Sequence, residues 1–161
     1  MTITIKHLTD PNGEKQVLKM ITSIAIKGLQ DDDYANLAER INGVMTILES
    51  IGVPHINNRM HITQGHVGQT ITHARIVEEL RDYPPILEMI ANWKPVGAFR
   101  ALFFYEKDSS GNQTIYFTQS VIKQKTFSQD FENAAAISKQ MMIDFYNAKG
   151  GIVKWNSDQK K

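Results

Sequence analysis

Arg100 is the residue whose surroundings most demand a partner. It stands in Val96 to Tyr105 (VGAFRALFFY), a run otherwise apolar on both faces, beside Ala98 and Leu102. An unpaired buried guanidinium costs several kcal/mol, so an arginine there must be ion-paired or must look into a cleft. Lys123 and Lys125 stand two apart, just past the end of the next apolar run. Extended backbone carried past that end points both to the same side of a sheet. Lys94 precedes the Arg100 run. Together these cations form a patch suited to a phosphate backbone and to the negative charge that develops on it. The competing arrangement pairs Arg100 with Glu88 or Glu106 and leaves the lysines as ordinary surface groups.

The remaining candidates are weaker. Four of the five histidines, His55, His61, His66 and His73, fall within one short stretch. Imidazoles suit zinc, but no H-E-x-x-H spacing or other ligand pattern is present, and hydrogen-bonded loop histidines are the simpler reading. His61-Ile62-Thr63 has the H-x-T form of two-histidine phosphoesterases, yet no second copy exists to supply the opposite acid or base. Gly65 to Thr70 lacks the lysine and glycine spacing of a phosphate loop. Glu78 and Glu79 diverge by about 100° on a helix and cannot share a substrate there. With no cysteine, disulfides, thiolate metal sites and cysteine nucleophiles are excluded.

The elements that must position these groups follow from periodicity and punctuation. Residues 2–8 alternate as a short strand, and Asp10-Pro11-Asn12-Gly13 turns the chain. A helix is expected from Glu14 to about Leu29. A longer one over 31–51 carries Leu37, Ile41, Val44 and Leu48 inward, with Asp31-Asp32-Asp33 as its cap and Gly52 and Pro54 as its stop. Residues 54–66 read as irregular. The spacing of Val67, Ile71, Ala74, Val77 and Leu80 predicts a helix over about 67–82, halted by Pro84-Pro85. Ile86 to Ile90 fits a short strand or one helical turn equally well. Val96–Tyr105 and Thr114–Ile122 form a hairpin around Asp108–Gln113, the second strand placing Ile115, Phe117 and Val121 on one face and Tyr116, Thr118 and Ser120 on the other. A last helix starts near Ser128 and buries Phe131, Ala134, Ala135, Met141, Met142 and Phe145. Ile152 to Trp155 is a candidate closing strand.

The sum is one α+β domain with an antiparallel sheet. A chain of 161 residues with 42% apolar residues can bury a sizeable core unaided. No apolar run is long enough to span a bilayer and the N-terminus has no secretory apolar core, so a soluble cytoplasmic protein is expected. The net charge of +1 hides an asymmetry: residues 31–90 carry four basic against nine acidic groups, and residues 91–161 carry ten against six.

The run from Phe99 to Met141 resembles the C-terminal half of the HigB/RelE-like toxins, the phage-derived HigB group above all. The matching stretches are Phe99 to Tyr105, Ile115 to Val121, Lys123-Gln124-Lys125, and Asp130 to Ala136. The earlier strand, short helix and long helix ending in Leu48 to Val53 fit that family's N-terminal unit. Glu88-Met89-Ile90 keeps the acid of its Glu-Leu-Arg strand, with Ile90 in the arginine's place, and about 62–82 is an insertion. The resemblance implies a single RelE-like domain over 1–161, a small antiparallel sheet packed against N-terminal helices and a C-terminal helix. It further implies an endoribonuclease that cuts mRNA on the ribosome without metal or other cofactor, and an antitoxin protein as partner. Carried over by position, Arg100 stabilises the phosphorane, Lys123 and Lys125 orient RNA or take part in proton transfer, and Tyr146 is a further catalytic candidate; Lys94, from the cationic patch, joins Arg100, Lys123 and Lys125 as an RNA-binding residue. A RelE-like protein that binds a protein or nucleic-acid partner without cutting is the alternative.

Overall fold

The computed structural model describes residues 1–54 and 60–149. Alternation at the start of the chain builds β1 (Ile3–His7), with Ile3 and Ile5 turned inward and Thr4 and Lys6 outward. The Asp10 carboxylate accepts from the N–H groups of Asn12 and Glu14 and so folds the turn into α1 (Gln16–Lys27). α2 (Asp32–Ile51) begins under Asp31, whose side chain accepts from the Asp33 N–H at 2.9 Å, with two more carboxylates at the positive end of the helix. It stops at Gly52, whose φ of 76° favours glycine and whose hydrogen atoms lie against Gln113: a Cβ there would meet that side chain at 2.6 Å.

The segment expected as a second long helix is instead β-structure. β2 (His61–Gln64) stands in the stretch read as irregular, and β3 (Thr70–His73) and β4 (Val77–Glu79) replace the helix expected over 67–82. Thr70-Ile71-Thr72-His73 alternates exposed and buried, a period of two rather than 3.6, and Val67, expected inward, is 84% exposed. The helical spacing was a coincidence of a β-branched stretch, and pairing with neighbouring strands decides its form. β2 and β3 make a separate two-stranded sheet against α2. The ambiguous Ile86 to Ile90 joins β5 (Leu87–Trp93), followed by β6 (Gly97–Lys107), β7 (Gln113–Lys123) and α3 (Gln129–Ala148), the last capped by Ser128. The Ile152 to Trp155 segment lies outside the described residues.

The main sheet has the order β1-β7-β6-β5-β4. β4 to β7 are antiparallel, but β1 runs parallel to β7, so the sheet is mixed rather than antiparallel throughout. Hairpin turns dictate direction within β5–β6–β7, whereas no turn ties β1 to its neighbour, and its sequence carries no sign of its direction. α1 and α2 cover one face over Met89, Phe99, Phe103, Ile115 and Phe117; α3 covers part of the other over Leu102, Phe104 and Tyr116. Each fully buried large apolar side chain contributes about 1.5–3 kcal/mol. Among the described residues no helix is long and apolar enough to cross a membrane.

One irregularity in β7 decides which side chains share the α3 face. Between the pairs Ala101–Ser120 and Phe103–Phe117, β6 advances two residues and β7 three, a β-bulge. The extra residue inverts β7 beyond it. Thr118 stays on the α3 face, 2.6 Å from the Ser138 hydroxyl. Ser120 turns to the α1 side, where its N–H donates to Gln16 Oε1 at 2.6 Å. Val121, expected beside Ile115 and Phe117, packs with the α3 cluster instead.

Candidate cationic cleft at the sheet edge

Arg100 lies in β6 between Ile90 of β5 and Val121 of β7, on the face shared with α3. α3 packs on β7 and β6 of the same face. Because side chains alternate, Glu88, Ile90 and Asn92 of β5 share that face. The Arg100 Nε is 3.2 Å from Glu88 Oε1, and a terminal nitrogen donates to Asn92 Oδ1 at 2.8 Å. The Arg100 and Glu88 side chains are 16% and 9% exposed, and the Nε contact is an ion pair rather than an aligned hydrogen bond. Burial pushes the Glu88 carboxyl up, with Arg100 pulling against it. Burial likewise lowers Arg100, opposed by Glu88. Of the two carboxylates weighed as partners, Glu88 is the one used; Glu106 accepts instead from the Tyr116 hydroxyl at 2.7 Å.

Past this pair the sheet edge opens into a cavity of about 300 Å³, with Arg40, His73, Arg75, Glu78, Asn92 and Arg100 among its walls. Arg40 projects from α2, its guanidinium 4.1 Å from the Trp93 ring centroid and its NH1 donating to Asn36 at 3.1 and 3.2 Å. Trp93 is fixed in turn by donating to Asp33. Arg75 pairs with Glu78. His73 is buried, its Nε2 2.8 Å from the Thr63 hydroxyl. Burial, then the charges of Arg40 and His61, hold its pKa below the ordinary histidine value, which keeps it neutral near pH 7.

The residues singled out from sequence are distributed unevenly around this site. Lys123 pairs with Ala98 and so shares Arg100's face, a consequence of the bulge; its ammonium sits 4.6 Å from the Phe131 ring centroid. Lys94 is exposed in the turn between β5 and β6. Lys125 is exposed in a bend, because β7 ends at Lys123 and the extended backbone that would align the two lysines does not continue. Gln124 ties that bend to the β5–β6 turn by donating to the Val96 carbonyl at 3.1 Å. Lys94, Arg100, Lys123 and Lys125 therefore occupy one end of the sheet, with Arg100 alone of the four lining the cavity. Tyr146 is elsewhere, packed on Phe104 and Phe145 towards the other end of α3.

His61 and His73 face each other across the β2–β3 pair, the His66 N–H donates to Glu39, and His55 lies outside the described residues. Among the described residues no three histidine, aspartate or glutamate side chains are grouped to hold a metal ion. Sequence reasoning missed Arg40, Arg75 and Asn92. Asn92 could have been found from Glu88-x-Ile90-x-Asn92 once that stretch was read as a strand; Arg75 was hidden by the helical misreading. No family model, curated protein or solved structure matches the chain.

Proposed function

We propose that the protein is a metal-independent endoribonuclease, a toxin that cuts mRNA on the ribosome and is restrained by an antitoxin protein. The observation that carries this reading is the Arg100 guanidinium, clamped by Glu88 and Asn92 at the wall of an open cleft, with Lys123 on the same face. In the reaction a ribose 2′-oxygen attacks the adjacent phosphorus, the P–O2′ bond forms and the P–O5′ bond breaks. A 2′,3′-cyclic phosphate and a 5′-hydroxyl result. The 2′-hydroxyl proton leaves to water, and the departing 5′-oxygen takes one from the Lys123 ammonium, which water restores. Arg100 faces the phosphorane, where charge is greatest in the transition state; a preorganised donor of this kind is worth roughly 10²–10³ in rate. Lys94 and Lys125 attract the flanking backbone.

Induced expression in a bacterial host should arrest growth and truncate mRNA, and Arg100→Ala should relieve both. Unimpaired growth with intact mRNA sinks the reading. The alternative, a non-cutting RelE-like binding protein, has one observation in its favour: Ile90, directly opposite Arg100 and buried, stands where the resemblance puts an arginine. It predicts capture of a partner with no new RNA ends.

A further inference from the structure

Three arginines line the cavity beside β5 from three separate elements: Arg40 from α2, Arg75 from the β3–β4 connection and Arg100 from β6. Glu78 and Glu88 offset two of them. Among the described residues no carboxylate lies within ion-pair distance of Arg40. Its neighbour Glu39 acts on it only at longer range, its oxygens accepting from the His66 N–H and the Gln69 amide. Stacking on Trp93 holds the Arg40 guanidinium in place without neutralising it. The cleft thus keeps one guanidinium that no carboxylate pairs in contact, and Asn92, Thr72 and His73 add polar groups.

We propose that this cleft binds a phosphate group, held by Arg40, Arg75 and Arg100, with Asn92 and His73 beside it. Arginines set around one cavity by three elements suit the several oxygens of a tetrahedral anion, whereas a carboxylate presents two oxygens in one plane and is satisfied by one fork. The volume lies at the lower end of the roughly 300–1,000 Å³ of small-ligand sites, enough for a phosphate and its sugar. The inference deepens the nuclease reading and rests on it only for the source of the phosphate, which is either an internal group of RNA or the terminus of a free phosphate monoester.

Binding to the full chain should be measured for adenosine, adenosine 3′-monophosphate, inorganic phosphate as competitor, and an uncleavable 2′-O-methyl RNA tetranucleotide. The monophosphate should bind, adenosine should not, and inorganic phosphate should displace the nucleotide. Arg40→Lys keeps the charge and loses the fork; Arg75→Gln with Glu78→Gln removes an exposed pair without stranding a carboxylate. Each should weaken binding about tenfold or more. Equal binding of adenosine and its monophosphate, or unchanged affinity in both variants, overturns the site. A tetranucleotide at least tenfold tighter than the monophosphate identifies RNA as the source, and equal or weaker binding identifies a free monoester. Absence of growth arrest with nucleotide binding intact removes the nuclease reading and leaves the phosphate site standing.

Discussion

At one end of the face under α3, Phe104 of β6 and Tyr116 of β7 stack with ring centroids 5.0 Å apart beneath Phe145 and Tyr146. At the other end the same two strands present Arg100 and Lys123. The aromatic end is closed: burial and then the Glu106 carboxylate push the Tyr116 hydroxyl well above its ordinary pKa, so that group serves as a fixed hydrogen-bond donor. The cationic end borders the cavity at the β5 edge through Arg100, while Lys123 lies against Phe131 of α3. One sheet face thus carries an aromatic end and a cationic end, and the bulge in β7 lies between them. Without the extra residue Lys123 would point to the α1 side.

The contrast between the two ends is sharpest at Phe104. Phe104→Ala should cost about 3–5 kcal/mol, read as a fall in melting temperature, while the protein that remains folded keeps its affinity for nucleotide phosphate. Arg100→Ala should differ in its effect on function rather than on stability. It strands a largely buried carboxylate, costing about 3–5 kcal/mol, and in the protein that remains folded cuts RNA cleavage by about 10²–10³. Arg100→Lys should restore more of the stability than of the cleavage, since a lysine cannot reproduce the fork.

A smaller effect concerns His73, which faces the Thr63 hydroxyl and the charges of Arg40 and His61. Its folded pKa lies below the ordinary 6.5. The stability it contributes is therefore present above that value and is lost as pH falls from about 6.5 through the folded pKa, with a slope of at most about 1.4 kcal/mol per pH unit. Glu88, raised above its ordinary 4.5, acts oppositely, favouring the fold as pH drops towards that value. His73→Gln should flatten the acid-side slope of the melting temperature between pH 7 and 5. An unchanged slope would show that His73 does not control it. The smallest effect is expected for Tyr146→Phe: at most about 1 kcal/mol and growth arrest undiminished, because the ring belongs to the aromatic end. A tenfold loss of cleavage in that variant would erase the division between the two ends.

Much of this architecture was legible. α2 could be read because apolar spacing, three capping carboxylates and a terminal glycine all agreed over 20 residues. Arg100 stood out as a charge in an apolar run, and pairing with Glu88 was one of two options visible. Choosing between them required the β5–β6 register, which sets Glu88 opposite Leu102, diagonal to Arg100. The face of Lys123 depended on a bulge that no glycine or proline announces. Arg75 vanished into an accidental helical period, and Arg40 gave no signal, since its partner Trp93 meets it only after α2 docks on β5.

The most direct test incubates purified protein with ribosomes programmed with mRNA in the presence of a strong chelator and maps the new ends. Fragments ending in 2′,3′-cyclic phosphate, formed by the native chain and reduced at least a hundredfold by Arg100→Ala, are the result this account predicts. Intact mRNA, or equal cutting by the variant, would contradict it.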